Sequence, residues 1–97
     1  MNKARRKQIE NAITTLNDVV GKLEEAKSEL ESAKDDESDY KDSMPENLQN
    51  SEKGNAADEA ISNLETSESD VEEAISTIQD AITSLESAVS AADDAKA

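Results

Sequence analysis

Apolar and polar positions alternate along this chain in units of seven. Residues 58–64 read DEAISNL, 72–78 EEAISTI, 79–85 QDAITSL and 86–92 ESAVSAA, and 65–71, ETSESDV, is a degraded copy of the same unit. The first half repeats it at 10–16 (ENAITTL), 17–23 (NDVVGKL), 24–30 (EEAKSEL) and 31–37 (ESAKDDE). With the last residue of each unit lettered a, one row holds Ile9, Leu16, Leu23 and Leu30, then Ala57, Leu64, Val71, Ile78, Leu85 and Ala92. The d row is small: Ala12, Val19, Ala26 and Ala33, then Ala60, Ser67, Ala74, Ala81 and Ala88. The e row adds Ile13, Val20, Ile61, Ile75, Ile82 and Val89. Apolar spacings of three and four sustained over this length select α-helix, because strand alternation has a period of two and cannot generate them. Large a, small d and branched e make a stripe wider than a simple coiled-coil seam.

Local chemistry predicts where the helices begin and end. Asn2 is placed to cap a first helix over about 3–36, where acidic residues crowd a C-terminus that favours cations. Gly54-Asn55, with Asp58 three residues on, predicts a capped second helix over about 56–95. The connector, about 37–54, contains Pro45, which suits a first helical turn but not a helix interior. Ser43 and Glu46 have capping-box spacing, so a short helical turn is expected over 45–49, with Met44 and Leu48 closing that end. A connection this short makes the two helices antiparallel neighbours. The expected fold is all-α: a single domain, 1–97, forming an antiparallel two-helix coiled-coil hairpin with an alanine-rich seam. One hairpin covers only part of an a/d/e stripe, so hairpins are expected to associate into a four-helix bundle or higher oligomer.

Composition alone argues the other way, and the repeat overrules it. The apolar share of 34%, the 35% of charged residues and the net charge of -14 lean towards disorder. With no Cys there is neither a disulfide framework nor thiolate chemistry. No apolar run approaches the roughly 18 residues of a membrane span, and the basic start Met1 to Lys7 is not followed by the apolar stretch of a secretory signal, so a cytoplasmic protein is expected. His is absent too, and no glycine-rich loop could cradle phosphates, so the expectation is a non-enzyme without cofactors. Carboxylate pairs abound, but on a solvated rod they lack the burial that tunes a catalytic pKa.

Acidity is the informative surface feature. From Gly54 to the end there are eleven Asp or Glu against one Lys, concentrated at b and c: Asp58, Glu59, Glu65, Glu72, Glu73, Asp80, Glu86, Asp93 and Asp94. Such a row would let the chain imitate a nucleic-acid backbone and occupy the basic groove of a protein partner; the plainer reading is a solvated face that keeps a thinly packed bundle soluble. Direct nucleic-acid binding is not expected, because the chain and phosphates repel. Lys3, Arg5, Arg6 and Lys7 hold four of the ten cations. Pairing with Asp93 and Asp94 at the same end of the hairpin accounts for them; the sharper alternative is an anion site for a small nucleotide where subunits meet. Asp35, Glu37, Asp39 and Glu46 match part of a calcium-loop template, with Tyr40 where the turn glycine belongs, so no metal site is expected. The f row of the second helix, Ser62, Ser69, Ser76, Thr83 and Ser90, is polar and uncharged, as an exposed edge needs no reason to be otherwise.

The connector is less generic. Tyr40 to Glu52, YKDSMPENLQNSE, resembles a motif of small acidic helical proteins from phages and prophages of Gram-positive bacteria, aromatic-x-Asp-Asn-Met-Pro-Glu-Asn-Leu-Gln-x-Ser-Glu, with Ser43 in place of Asn. The resemblance implies a setting rather than a mechanism, and raises proteins that disarm host machinery by occupying it. It marks Tyr40, Met44, Pro45, Glu46, Asn47, Leu48 and Gln49 as a binding loop or as the clasp of the hairpin. The leading expectation is therefore a non-catalytic phage or mobile-element accessory protein, an acidic inhibitor of a host or defence protein. The alternatives are a structural homo-oligomer and an oligomer that sequesters a small anionic nucleotide.

Overall fold

The computed structural model describes the backbone of residues 1–96 and the side chains of residues 1–92. It contains three helices, α1 (Lys3–Asp42), α2 (Glu46–Gln49) and α3 (Glu52–Lys96), and no strand among the described residues. α1 and α3 are the arms of a helical hairpin and α2 lies in the connector. Asn2 opens α1: its Oδ1 accepts the Arg5 amide at 2.8 Å, and its carbonyl accepts the Arg6 amide at 3.1 Å. This satisfies donors that a helix start leaves bare.

Both long helices run further towards the connector than local chemistry predicts. α1 ends at Asp42 rather than near residue 36. The acidic crowd at 35–37 does disfavour a helix end there, and the chain avoids the conflict by continuing to Lys41, a cation in the last turn. The Ser43 amide then bonds the Asp39 carbonyl at 2.9 Å and the Met44 amide the Lys41 carbonyl at 3.0 Å. Residues 35–42 are thus helical, and the partial calcium-loop template has no loop to form in. Pro45 caps α2 with φ -53° and ψ 145°, and its carbonyl takes the Leu48 amide at 2.8 Å; Ser43 makes no side-chain cap, so the capping-box spacing is fortuitous. Gln49 Nε2 instead ties back to the Met44 carbonyl at 3.2 Å.

α3 begins at Glu52, four residues before the expected start, and Gly54 lies inside its first turn rather than outside it as a cap. Ser51 leads in, its carbonyl accepting the Asn55 amide at 2.9 Å and its hydroxyl donating to the Leu48 carbonyl. Gly54 is buried, and the reason is a close approach. A Cβ there would stand 1.9 Å from the Gln49 carbonyl oxygen, 2.5 Å from its carbon and 2.9 Å from the Leu48 oxygen. Only glycine lets the backbone of α2 sit on the start of α3.

The chain gathers into two compact units. The first joins Met1–Glu24 of α1 to the α3 residues from Glu73 onward. Its core is Val20, Ile75 and Ile82, all from the e row, with the a-row residues Leu16, Leu23, Ile78 and Leu85 half-buried. Ala12, Ala81 and Ala88 of the d row are exposed, and Val19 is 39% exposed. The seam of this unit therefore runs mainly between a and e, with Ala12, Ala81 and Ala88 on its flank and Ala74 half-buried. Branched e residues bury more apolar area per position than alanine, so rotating the stripe towards e is the more favourable packing.

The second unit is Glu25–Glu72. Ala57 is its buried apolar residue, at 1% exposure, with Leu30, Ile61, Leu64 and Val71 half-buried. Three ion pairs cross it: Lys27 Nζ to Glu72 Oε2 at 2.6 Å, Lys34 Nζ to Glu68 Oε1 at 3.1 Å and Oε2 at 3.2 Å, and Lys41 Nζ to Asp58 Oδ1 at 2.5 Å. As the lysine number rises from 27 to 41 its partner falls from 72 to 58, so the two arms of this unit are antiparallel. Met44 is half-buried, but Leu48 is 41% exposed and does not close the hairpin end.

Candidate functional site: an acidic helical unit

Charge is unevenly divided between the two units. Glu25–Glu72 carries sixteen Asp or Glu against four Lys, which is twelve of the chain's fourteen net negative charges. The first unit is close to neutral. Within the second, Lys27, Lys34 and Lys41 are committed to ion pairs inside the chain, leaving Lys53 as the only other cation of that unit. The three pairs neutralise Glu72, Glu68 and Asp58, and the remaining acids of the unit carry its net negative charge.

The three paired lysines share a register. Residues 27, 34 and 41 continue the e row, where Ile13 and Val20 stand earlier on the same helix. Glu68 likewise takes the e position of the degraded unit ETSESDV, where Ile61, Ile75 and Ile82 stand in its neighbours. Lys34 and Glu68 thus meet at seam positions, with side chains 25% and 14% exposed, whereas Glu72 and Asp58 reach in from the b flank. The hydrogen bond to Glu72, reinforced by its charge, holds the Lys27 ammonium above the ordinary lysine range. The hydrogen bond to Glu68 does the same for Lys34, against the opposing effect of desolvation.

The carboxylates expected to form one acidic face are divided. Asp58, Glu59, Glu65 and Glu72 belong to the second unit and Glu73, Asp80 and Glu86 to the first, and all seven are exposed. Asp58 and Glu72 are held by Lys41 and Lys27, so of these four Glu59 and Glu65 lie outside the three pairs, as do Glu52 and Asp70 on the same helix. Sequence reasoning missed the larger contribution of α1. Glu25, Glu29, Glu31, Asp35, Asp36, Asp39 and Asp42 are all exposed and belong to this same unit. The signal is the density of acids in 24–42, which bears on the surface as much as on the helix end.

In the connector, Tyr40 is 51% exposed, Pro45, Glu46 and Asn47 are exposed, and Met44 and Gln49 are half-buried. Gln49 is occupied as a clasp by its bond to Met44, while Tyr40 and Leu48 present apolar surface to water. At the other end of α1, Lys3, Arg6 and Lys7 share a helix face by their spacing, Arg5 lies on another, and Arg6 is half-buried. Asp93 and Asp94, their expected counterions, have side chains outside the described residues.

Among the described residues there is no cavity, no cluster of side chains suited to a metal ion, and no helix long and apolar enough to cross a membrane. No protein-family model, curated protein or solved structure matches the chain. Its chemistry has to be read from the surface, and the surface is a set of exposed carboxylates on a hairpin.

Proposed function

We propose that this chain is a non-catalytic binding protein whose acidic unit occupies the basic, nucleic-acid-handling surface of a protein partner. The phage setting implied by the connector motif makes that partner a host or defence protein. The observation that carries the reading is the collection of twelve net negative charges in forty-eight residues, with three of the four local lysines already engaged. Solubility alone asks for charge spread over the whole surface, and a small domain needs a net magnitude of only about 2–8. Carboxylates along rigid helices stand in for phosphates, steer the encounter at long range and are already ordered before binding.

The test is capture of partners from a bacterial lysate with the purified chain, followed by displacement with duplex DNA and a salt series. Competition by DNA and a steep fall in affinity between about 50 and 200 mM salt are expected, since phosphate-like contacts weaken in that way. Replacing Glu29, Asp35, Asp36 and Asp39 by their amides should abolish capture, and a flat salt response would rule the mimicry out. A second reading, self-association, is favoured by a different observation. Among the described residues, Val20, Ala57, Ile75 and Ile82 are the buried apolar ones, and the a-row leucines remain half in water.

A further inference from the structure

The one aromatic residue of the chain stands where the fold makes little use of it. Tyr40 continues the d row of α1, after Ala12, Val19, Ala26 and Ala33, and is 51% exposed. Alanine at positions 26 and 33 of the same unit means that the hairpin packs along this row without a ring. Among the described residues the Tyr40 hydroxyl makes no hydrogen bond and its ring meets no cation, since the neighbouring Lys41 is engaged with Asp58. Aromatic area left half in water is of the kind that interfaces bury at their centres.

The helix face around the ring is anionic. Long side chains on a helix lean over the turn that precedes them, and for Tyr40 that turn holds Asp36 and Glu37, four and three residues back and so on the same face. Asp36 is exposed, Glu37 is half-buried, and neither belongs to the three ion pairs of the unit. A ring edged by carboxylates disfavours an apolar occupant, which would strip water from those charges. It equally disfavours a second copy of Glu25–Glu72, with its own twelve net negative charges. It suits a flat cation. A guanidinium covers the ring face, drawn by the negative face of the π-system, while its edge donates hydrogen bonds to a carboxylate. A lysine ammonium, compact and strongly hydrated, serves such a site less well. We propose that Tyr40 and Asp36 form a seat for an arginine side chain of the partner, the guanidinium stacked on the ring and hydrogen-bonded to the Asp36 carboxylate. This rests on the reading of Glu25–Glu72 as the unit that meets a basic surface, and it adds the side chain that this surface must present.

The full chain is titrated at low salt with oligoarginine and oligolysine peptides of equal length. Affinities are measured for the wild type, Tyr40→Leu, Tyr40→Phe and Asp36→Asn, with helicity at 222 nm followed in parallel. Both peptides are expected to bind the wild type, oligoarginine the more tightly. Tyr40→Leu should weaken oligoarginine by about two- to fivefold, the worth of an exposed cation–aromatic contact, and leave oligolysine nearly unchanged. Tyr40→Phe should keep the wild-type affinity, and Asp36→Asn should reduce the preference for arginine. Because Tyr40 is the only aromatic residue, the ring-proton signals of the chain in deuterated water are its alone. Oligoarginine should shift them more than oligolysine does at equal saturation. Equal losses for the two peptides on Tyr40→Leu, or no loss, overturn the seat while the acidic reading stands. Binding of neither peptide to the wild type overturns both. Should Tyr40→Leu lose helicity, the ring signals decide, and equal shifts from the two peptides, or none, remove the seat.

Discussion

Adding one methyl group at the two glycines should move stability in opposite directions. Both Gly21 and Gly54 lie in long helices, where alanine is favoured over glycine by about 0.8–1.0 kcal/mol. At Gly21 an added Cβ meets nothing within 4 Å, so Gly21→Ala should collect most of that gain, about 0.5–1 kcal/mol. At Gly54 the Cβ would lie 1.9 Å from the Gln49 carbonyl oxygen. The obstacle is backbone, which cannot rotate aside, and contact at an ordinary distance requires α2 to retreat by more than an ångström. That retreat breaks into the bonds around it: Leu48 to Pro45 at 2.8 Å, Ser51 to Leu48 at 3.0 Å and Asn55 to Ser51 at 2.9 Å. Forcing atoms into a packed site costs typically 1–3 kcal/mol, and an intrusion this deep belongs at the upper end. Net of propensity, Gly54→Ala should destabilise by about 1–2 kcal/mol and lower Tm by on the order of 5–15 °C, while Gly21→Ala raises it by a few degrees. Thermal unfolding at 222 nm, at one protein concentration for all variants, reads both. Equal and positive shifts would refute the close approach of α2 to α3.

Removing Glu68 alone should lower Tm, because it strands Lys34 in the seam, whereas Lys34→Leu with Glu68→Ile should raise it above wild type; purely additive effects in the double-mutant cycle would count against a seam pair. Stability should also fall at alkaline pH. Lys27 and Lys34 have raised pKa values in the folded chain, so their contribution is complete below 10.5, the value of a free lysine, and is lost as pH rises through the folded values. Urea midpoints between pH 9 and 12 measure this, and a variant carrying Lys27→Met and Lys34→Met should lose that extra slope. Ile82→Ala, at a buried position of the first unit, should cost about 2 kcal/mol, the low end for such a truncation because a half-open seam can collapse around it; no change in midpoint would remove Ile82 from the core.

The helical hairpin was legible in the sequence because a seven-residue period admits no other element. The a row lies along the seam, half-buried except for the buried Ala57, and Asn2 caps as its position suggests. What escaped were features that depend on a partner helix. The choice between d and e as the second seam row is invisible in one helix alone, since both flank a equally, and only competition for burial decides it. Lys27, Lys34 and Lys41 read as ordinary solvated lysines until α3 supplies Glu72, Glu68 and Asp58. Helix ends differ for the same reason: the acids at 35–37 disfavour an end there, and Lys41, a last-turn cation paired with Asp58, provides a better one further on. Gly54 was read as a cap by composition, whereas its reason is a neighbour's carbonyl. The acidic unit was half seen, in α3 and not in α1, because the repeat draws attention to rows along a helix rather than to which stretches share a compact unit.

A chain built from near-identical units faces a register problem, and the irregular residues answer it. Sliding one arm by seven residues returns Leu and Ile to Leu and Ile, so the apolar seam discriminates weakly between registers. The lysines discriminate better. In the observed pairing each of Lys27, Lys34 and Lys41 has a carboxylate. A slip of one unit in one direction sets Lys27 against Gln79, and a slip in the other sets Lys41 against Ser51, so each alternative leaves a seam cation without its counterion. Polar residues at seam positions fix register at some cost in stability, as they do in other coiled coils. The Gly54 contact adds a second lock, since the close approach of α2 to α3 holds only at one connector length. The degraded unit ETSESDV and the three lysines are then not erosion of the repeat but the part of it that selects one pairing. The surplus carboxylates of the same unit are needed by no register.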